Sequence, residues 1–264
     1  MKIAIIGTGN LGSSIAKGLI TNNAITTLYL TKRNVSGLAD FEGYKNVFLT
    51  SDNKEAIQQS DIVVFAVQPA HLEKILIEVQ PFLTDKHVLI STITGFSISR
   101  IEGLVGTDQF IIRAMPNTAI AVGKSMTCIC SNEKGGQRLT IAEAIFNRLG
   151  TTISIPEQQM QAATVVCASG IAFWMRLIRA TTQAAIQLGF DAEEAQNLAM
   201  FTCEGAANLL ITSGNHPEQE IDKVTTPNGC TIEGLNEMEH KGLSSSLIQG
   251  MVASFDKINS IKAH

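Results

Sequence analysis

The sequence predicts an α/β fold, in which an N-terminal doubly wound parallel sheet is followed by an all-α C-terminal domain. Short runs of Val and Ile alternate with helical patterns through the first part of the chain, and such runs are typical of parallel strands covered on both faces. No strand pattern follows Ile155, and the rest of the sequence is typical of long helices. We therefore predict two domains, 1–155 and 156–264.

Strand and helix patterns alternate along the first domain. The strand patterns are short and rich in β-branched residues, and apolar residues recur at helical spacing between them. The expected strands are Lys2–Ile6, Thr27–Leu30, Asn46–Leu49, Asp61–Val67, His87–Ser91, Phe110–Ala114, Gly123–Cys130 and Thr151–Ile155. The expected helices are Asn10–Ile20, Lys54–Gln59, Leu72–Val79, Ser97–Leu104 and Gly135–Leu149.

Long helical patterns account for the second domain. They span Met160–Leu188, Ala192–Thr212, Thr231–Lys241 and Leu243–Ile261. The first of them is apolar around most of its circumference and contains several small residues, so it must be buried on several sides. One small helical domain cannot easily cover such a helix. We therefore expect a homodimer, or a larger homo-oligomer, formed through this domain.

Composition argues against several classes of protein. The chain has 264 residues, of which 45% are hydrophobic and 17% are charged, as in a compact protein rather than a disordered one. A net charge of -4 gives no reason to expect nucleic acid or a membrane surface as the main partner. No apolar run free of charged or polar residues reaches the roughly 18–20 residues of a membrane span. We expect a small-molecule substrate, with no nucleic acid and no membrane.

The cysteines and the N-terminus indicate a compartment. The five cysteines are odd in number and lack the paired spacing of metal ligands, so we interpret them as buried thiols and expect no metal site. Cys128 and Cys130 alternate along a strand and should point to the same face. Met1-Lys2 leads directly into the first strand without a secretory signal. These features are typical of a protein of the reducing cytoplasm.

A glycine-rich motif joins the first strand to the first helix. Gly7 permits a tight turn, Gly9 allows the backbone to approach a pyrophosphate, and Gly12 allows helix and strand to pack closely. The pyrophosphate then lies against N–H groups at the helix N-terminus. This placement predicts a Rossmann-type domain that binds a nicotinamide dinucleotide. The cofactor-binding residues expected in this loop are Gly7, Thr8, Gly9, Asn10, Leu11 and Gly12.

The end of the second strand distinguishes the two nicotinamide cofactors. An acidic residue at this point accepts hydrogen bonds from the ribose of NAD, but the sequence here has Lys32 and Arg33 and no acid. Either cation can pair with the 2′-phosphate of NADPH. We therefore predict NADPH as the cofactor, with NADH possible. The alternative is a solvated basic loop without a binding role.

Later strand ends should line the same crevice, because ligands bind beyond the carboxyl ends of the strands in such sheets. One corner is Val67-Gln68-Pro69, and another is Arg113–Thr118, whose Asn117 can hydrogen-bond a nicotinamide amide or a substrate. Turns of this composition are also common without a function. We include Val67, Gln68, Pro69 and Asn117 among the expected cofactor-binding residues.

These motifs, together with a third one, resemble the pyrroline-5-carboxylate reductase family over nearly the whole chain. GTGNLGSSIAKGL at the N-terminus is similar to the family's glycine loop, and Arg113–Thr118 is similar to its R-x-M-P-N-T stretch. In the helical half, Val224–Thr231 (VTTPNGCT) resembles the family's V-[ST]-S-P-G-G-T-T loop. The resemblance implies NAD(P)H reduction of pyrroline-5-carboxylate to proline, in proline biosynthesis. It also implies an intertwined homodimer, or a larger assembly, built on the helical domain.

The third motif is also a plausible site for the substrate carboxylate. The segment leads into a helix, so its N–H groups would form an anion cradle at that helix N-terminus. We expect Asn228, Gly229, Cys230 and Thr231 to bind the substrate. Thr231 is the candidate catalytic residue, since its hydroxyl can hydrogen-bond the ring nitrogen; the alternative is that it only caps the helix. A protonated imine needs no strong general acid, so the site works mainly by positioning the imine carbon against the nicotinamide.

Departures from the family pattern leave alternatives open. The family's S-G-S-G-P-A-Y corresponds to Cys167–Phe173, which lacks the proline and the tyrosine hydroxyl, and Asn228 replaces a glycine. One alternative is therefore a paralogue that binds NADPH without this activity. Another is a 3-hydroxyacid-dehydrogenase-like enzyme, but that class requires a lysine on the long helix and Met160–Leu188 contains none.

Overall fold

A computed structural model describes residues 1–22 and 25–261 of the chain. It confirms the predicted α/β class, with every strand in the first part of the chain and helices after them. The strands are β1 (Lys2–Ile6), β2 (Thr27–Thr31), β3 (Val47–Thr50), β4 (Ile62–Phe65), β5 (Val88–Ser91), β6 (Phe110–Met115), β7 (Ser125–Ser131) and β8 (Gly150–Ser154).

Helices follow most of these strands. In the first part of the chain they are α1 (Asn10–Thr21), α2 (Asn53–Gln58), α3 (Pro69–Val79), α4 (Ile98–Val105), α5 (Glu133–Gly136), α6 (Leu139–Phe146) and α7 (Met160–Ala163). A π-helical segment, Thr164–Ser169, comes next. The remaining helices are α8 (Gly170–Gln187), α9 (Ala192–Ser213), α10 (Pro217–Val224), α11 (Cys230–His240) and α12 (Leu243–Ile261).

The strands form one sheet in the order β3-β2-β1-β4-β5-β6-β7-β8. The first six strands pair in parallel. β2 and β3 extend the sheet on one side of β1, and β4, β5 and β6 extend it on the other side. In a doubly wound sheet this reversal opens a crevice beside the carboxyl ends of β1 and β4. The sheet therefore places a ligand site at the end of β1, where the glycine motif lies.

The last two strands depart from a fully parallel sheet. β7 runs antiparallel to β6, and β8 pairs in parallel with β7. Only residues 116–124 connect β6 to β7, including a 3-10 turn at Thr118–Val122. A parallel crossover needs about a dozen residues or more, so this connection is too short to return the chain to the other end of the sheet.

Each face of the sheet has its own hydrophobic core. Ile3 and Ile5 of β1 belong to one core, whereas Ala4 and Ile6 belong to the other. The same alternation divides the residues of β4, all four of which are buried. Because side chains alternate across a strand and helices cover both faces, every buried position of these two strands is apolar.

The chain divides into two compact units. The first comprises Met1–Ser169 with the end of α12 from Phe255, and the second comprises Gly170–Ser254. In the second unit α8 packs against α9, and the buried residues of these two helices are all small: Gly170, Thr182, Ala195 and Ala199. The domain boundary near Ile155 stays a prediction.

Large apolar side chains remain exposed on the second unit. They include Trp174, which is 55% exposed, Phe201 at 68% and Ile211 at 80%, as well as Met175, Leu188, Leu209, Ile248 and Val252. The helical run Glu157–Gln187 is long and apolar enough to cross a membrane by length and composition, and 22% of its apolar window is buried. A helix that packs in a subunit interface has the same composition, because both need an apolar surface on several sides.

Candidate functional site

The glycine loop is fixed between the carboxyl ends of three adjacent strands. Gly7 follows β1 and has φ +91°, and a Cβ added to it would overlap the Val67 side chain beyond β4. The N–H of Thr8 donates a 2.8 Å hydrogen bond to the carbonyl of Thr31, at the end of β2. Both the backbone conformation and the close approach require glycine at position 7.

Gly9 is a glycine for a different reason. Its φ of -86° and ψ of -154° suit any residue, and no atom of the described chain lies within 4 Å of a Cβ added there. The fold itself therefore does not require glycine at this position. The missing side chain leaves open space directly in front of the first turn of α1.

The first turn of α1 has the features of an anion site. Gly9 is the N-cap, no side chain caps the helix, and no acidic residue lies in the first turn. The N–H groups of Asn10, Leu11 and Gly12 have no partner within the helix, because the first turn lacks preceding carbonyls. A Cβ on Gly12 would lie 2.6 Å from the Gly7 carbonyl oxygen, so the helix packs closely on the loop. This cradle fits the pyrophosphate of a dinucleotide.

Thr8 differs from its neighbours in the loop because it points into the protein. It is fully buried, and its hydroxyl has no hydrogen-bond partner among the described residues. Its backbone N–H is already bonded to Thr31. Thr8 therefore supports the loop by packing, and its direct contact with a cofactor stays a prediction.

The two cations after β2 are not equivalent. The Nζ of Lys32 donates a 3.0 Å hydrogen bond to the carbonyl of Gly37, which ties it into the following 3-10 turn. Arg33 is exposed and makes no side-chain hydrogen bond or ion pair within the described part of the chain. Asn34 caps the turn by accepting a hydrogen bond from the Ser36 N–H. Arg33 is therefore the cation that is free to meet a phosphate.

The corner after β4 forms the opposite side of the crevice. Val67 lies against Gly7, and Pro69 begins α3 at a position where its missing N–H has no cost. Gln68 is the exposed N-cap of that helix, without a side-chain capping bond. The structure thus brings Val67 beside the glycine loop, and contacts of Gln68 and Pro69 with a cofactor stay predictions.

Asn117 is more deeply engaged in the protein than the sequence indicates. It is only 9% exposed, and its Nδ2 donates a 3.0 Å hydrogen bond to the carbonyl of Cys167. Its Oδ1 accepts a 3.0 Å bond from the Ala119 N–H, and its own N–H donates to the Ser125 hydroxyl. One amide hydrogen remains for a ligand. Asn117 therefore has a structural role: it connects the chain just after β6 to the π-helical segment.

The π-helical segment ends two residues before Ile171, the position at which the family pattern has its proline. A proline at position 171 has no N–H to donate to the carbonyl four residues earlier, which is that of Cys167. Here Ile171 has an N–H, yet the Cys167 carbonyl still accepts a hydrogen bond from Asn117. The Cys167 carbonyl lies within the π turn Thr164–Ser169, and the hydrogen bond from Asn117 forms without a proline at position 171.

A buried ion pair next to this region was not expected from the sequence. The Nη1 of Arg113 donates to the Glu157 carboxylate at 2.8 Å, and the same oxygen accepts a 2.7 Å bond from the Ile98 N–H. Arg113 is 4% exposed. The pair joins β6 and the start of α4 to the segment before α7, so Arg113 has a structural role. Sequence spacing carries no signal for a contact between residues 113 and 157.

The substrate loop expected from the sequence lies in the second unit. The N–H of Gly229 donates a 2.9 Å hydrogen bond to the carbonyl of Thr226, which closes a tight turn with Pro227 and Asn228 at its centre. Asn228 has φ +59° and is the one non-glycine residue with positive φ in the described chain. Pro followed by a left-handed residue is typical of a type II turn. Asn228 thus takes the conformation for which the family uses glycine.

This turn leads into the N-terminus of α11. Gly229 is the N-cap, without a side-chain capping bond, so Thr231 lies in the first turn and does not cap the helix. The Thr231 hydroxyl makes no hydrogen bond among the residues that the structure covers. Asn228 and Cys230 are exposed, whereas Gly229 and Thr231 are half-buried. The free N–H groups can bind an anion, and the free hydroxyl can form a hydrogen bond with a polar group.

No three His, Cys, Asp or Glu side chains come together as a metal site within residues 1–22 and 25–261.

One carboxyl of the second unit, that of Glu220, is almost buried. It accepts hydrogen bonds from Lys223 at 2.7 Å and from Asn215 at 2.6 Å. These hydrogen bonds, first that of Lys223, lower the pKa of Glu220. The cluster joins α10 to the turn before it and has a structural role.

Comparison with known families matches two separate parts of the chain. Residues 2–95 match the family described as NADP oxidoreductase coenzyme F420-dependent. Residues 157–261 match the family described as pyrroline-5-carboxylate reductase dimerisation. The first match contains the glycine loop, and the second contains the loop before α11.

Individual relatives cover the chain from end to end. Pyrroline-5-carboxylate reductase 2 of Dictyostelium discoideum is 41% identical, over 99% of this chain and 93% of the relative. Pyrroline-5-carboxylate reductase 1 of the same organism is 43% identical over 98% of this chain but 49% of the relative, so this chain spans about half of that protein's length.

Solved structures share the whole fold. A pyrroline carboxylate reductase of Plasmodium falciparum, solved with NADP bound, has a TM-score of 0.88 at 26% identity, over 99% of this chain and 98% of that one. A pyrroline-5-carboxylate reductase of Coxiella burnetii has a TM-score of 0.90 at 29% identity, over 98% and 97% of the two chains.

Proposed function

The chain belongs to the pyrroline-5-carboxylate reductase family, and we propose that it reduces the cyclic imine pyrroline-5-carboxylate to proline with NADPH. The observation that carries the proposal is the open space in front of Gly9. It leaves the first turn of α1 uncapped at the crevice of the sheet, which is where a dinucleotide pyrophosphate binds in this class of fold. The class of enzyme is an NADP-dependent oxidoreductase that acts on a CH–NH group.

Different residues around the crevice bind different parts of the cofactor. The N–H groups of Asn10, Leu11 and Gly12 hold the pyrophosphate, and Gly9 lets it approach the backbone. Arg33 pairs with the 2′-phosphate, because it is free whereas Lys32 is bonded to Gly37. NADPH is therefore preferred over NADH. The bound nicotinamide supplies the hydride for the reaction.

The substrate is a small carboxylate and needs a site of its own. The turn at Asn228 and the first turn of α11 present free N–H groups to the carboxylate. The Thr231 hydroxyl is free to hydrogen-bond the ring nitrogen, since Gly229 provides the N-cap. This hydrogen bond orients the imine, which is protonated in solution and requires no strong acid from the protein.

The second unit supports a homodimer or a larger homo-oligomer. Its Trp174, Phe201 and Ile211 are large apolar side chains exposed to solvent, and exposed apolar surface of this kind is typical of protein–protein contact sites. A second subunit that covers these side chains would also account for the apolar composition of α8, the part of the helical run Glu157–Gln187 that belongs to the second unit. We place the enzyme in the cytoplasm, since its cysteines are free thiols and a reducing compartment maintains them.

The second candidate function is a relative that binds NADPH without reducing this substrate. Two observations favour it, the missing proline at Ile171 and the side chain at Asn228. The structure weakens both arguments. Asn117 bonds to the Cys167 carbonyl without the help of a proline, and Asn228 adopts the left-handed conformation that the turn requires.

The experiment that tests the proposal is an NADPH oxidation assay with pyrroline-5-carboxylate, run beside a panel of other cyclic imines. We expect turnover with pyrroline-5-carboxylate and slower turnover with imines that lack the carboxylate. NADPH binding without turnover on any imine would support the non-catalytic candidate instead. Faster turnover on a different imine would support the assignment as an imine reductase but identify that imine as its substrate.

A further inference from the structure

Two thiols from different elements meet beneath the π-helical segment. The Sγ of Cys128, on β7, lies 3.8 Å from the Sγ of Cys167, and neither cysteine is in a disulfide. Cys128 is 5% exposed, whereas Cys167 is half-buried and accessible from outside. A buried thiol in contact with an accessible one is the arrangement of a resolving cysteine beside a reactive one.

The backbone already brings the two residues together. β7 packs against the π-helical segment, so the two cysteines approach from neighbouring elements of the first unit. Bonded sulfurs lie about 2.05 Å apart, so these two must approach by less than about 2 Å. A gap of this size is on the scale of a change in side-chain rotamer.

The contact also makes the two thiols chemically different. The hydrogen bond from the Cys128 thiol lowers the pKa of Cys167 to about 7, against about 8.5 for a free cysteine. The same interaction, followed by burial, raises the pKa of Cys128. Because the thiolate is the nucleophile, Cys167 reacts first near neutral pH.

We propose that Cys128 and Cys167 form a redox pair that hydrogen peroxide converts into a disulfide. The Cys167 thiolate attacks one peroxide oxygen, the O–O bond breaks, and a sulfenic acid forms with release of hydroxide. The Cys128 sulfur then attacks the Cys167 sulfur and the S–O bond breaks. The hydroxyl group leaves as water, taking the proton of the Cys128 thiol. In total two thiols lose two hydrogens, and one peroxide becomes two waters.

The disulfide would act on the site through the Cys167 backbone. The carbonyl of Cys167 accepts the hydrogen bond from Asn117, so a sulfur drawn toward β7 moves the acceptor that holds this side chain. Turnover would fall in the oxidised protein. This consequence rests on the proposed function, whereas formation of the disulfide does not. The family pattern has serine where this chain has Cys167, so the pair depends on a residue in which this chain departs from it.

The test uses the full-length protein treated with hydrogen peroxide, alkylated, digested and analysed by mass spectrometry. We expect a peptide pair linked through Cys128 and Cys167, which dithiothreitol separates again. Most of the NADPH-oxidising activity should be lost on oxidation and recovered on reduction. Cys167→Ser should form no such link and keep its activity in peroxide. Cys203→Ser, a change outside the pair, should respond as the wild type does.

Two results would overturn the proposal, and neither depends on the identity of the substrate. One is peroxide treatment that oxidises Cys167 to sulfinic acid, or leaves it free, with no link to Cys128. The other is a link that joins Cys167 to Cys230 or Cys203 instead. If the link forms but activity falls equally in Cys128→Ala, control of the site is refuted. If the protein reduces no imine at all, the proposed function fails and the peptide analysis still decides whether the pair forms.

Discussion

The side-chain amide of Asn117 donates a 3.0 Å hydrogen bond to the main-chain carbonyl of Cys167, fifty residues later in the chain. This contact connects the end of β6, in the nucleotide-binding sheet, to the π-helical segment that precedes α8. It lies within the first unit of the protein. A side chain that the sequence predicts as a ligand contact therefore also holds a helix turn in its unusual conformation.

We expect Asn117→Asp to destabilise the protein. The carboxylate can still accept the Ala119 N–H, but it has no hydrogen to donate to the Cys167 carbonyl, and two acceptors then face each other in a buried place. The loss should be about 1–3 kcal/mol in the free energy of unfolding, measured by urea denaturation. Thr118→Ser, at the exposed neighbouring position, is the control. Equal stability of the two variants would show that the hydrogen bond from Asn117 to the Cys167 carbonyl does not stabilise the protein.

Gly7→Ala should destabilise the protein more than Gly9→Ala, although the two glycines belong to one loop. Alanine at position 7 requires φ near +91° and overlaps Val67, so we expect a loss of at least about 1 kcal/mol in unfolding free energy. Alanine at position 9 fits the unliganded loop. Its effect on stability should stay within about 1 kcal/mol, the scale of an N-cap change.

The same Gly9→Ala variant should weaken NADPH binding about tenfold or more, because the new methyl occupies the space of the pyrophosphate. Fluorescence titration with NADPH measures this, and Gly103→Ala, at another open glycine, is the matched control. An unchanged dissociation constant for Gly9→Ala would place the cofactor elsewhere.

Arg33→Ala should separate the two cofactors. The guanidinium is free in the structure and pairs only with the 2′-phosphate, so NADPH binding should weaken by about 1–3 kcal/mol while NADH binding hardly changes. Titrations of both cofactors measure the difference. Lys32→Ala is the comparison, since Lys32 is bonded to Gly37 and should have the smaller effect on selectivity. Equal weakening of both cofactors by Arg33→Ala would refute the assignment.

Thr231→Ala tests the substrate loop without touching the cofactor site. A lost hydrogen bond to a charged group is worth about 1.5–3 kcal/mol, which is roughly a tenfold to hundredfold loss in kcat/KM. The dissociation constant of NADPH should stay the same. Asn228→Gly restores the family's residue in a turn that already has positive φ, so we expect it to fold and to retain activity. If Thr231→Ala leaves the kinetics unchanged, the Thr231 hydroxyl does not hydrogen-bond the substrate.

The parts of the fold that follow from local pattern were predicted well from the sequence. The strand before Gly7 and the helix that begins at Asn10 lie where the pattern places them. The reversal of strand order at β1 follows from the alternation of strands and helices. The antiparallel β7 was missed, because its direction depends on the length of the 116–124 connection and not on the residues of the strand itself.

Long-range contacts explain what the sequence could not show. Lys32 and Arg33 look alike in sequence, and only the position of the Gly37 carbonyl makes one of them bound and the other free. The π turn at Thr164–Ser169 interrupts a pattern that predicts one continuous helix. This turn accepts a hydrogen bond from Asn117, fifty residues earlier, which no local periodicity encodes.

Hydride transfer itself is the most direct test of the account. NADPH carrying deuterium at the transferable position would be incubated with the protein and pyrroline-5-carboxylate, and the product examined by mass spectrometry and NMR. We expect one proline for each NADPH consumed, with one deuterium on the ring carbon next to nitrogen and remote from the carboxylate. Proline without deuterium, or no proline while NADPH remains bound and intact, would contradict the assignment of this chain as a pyrroline-5-carboxylate reductase.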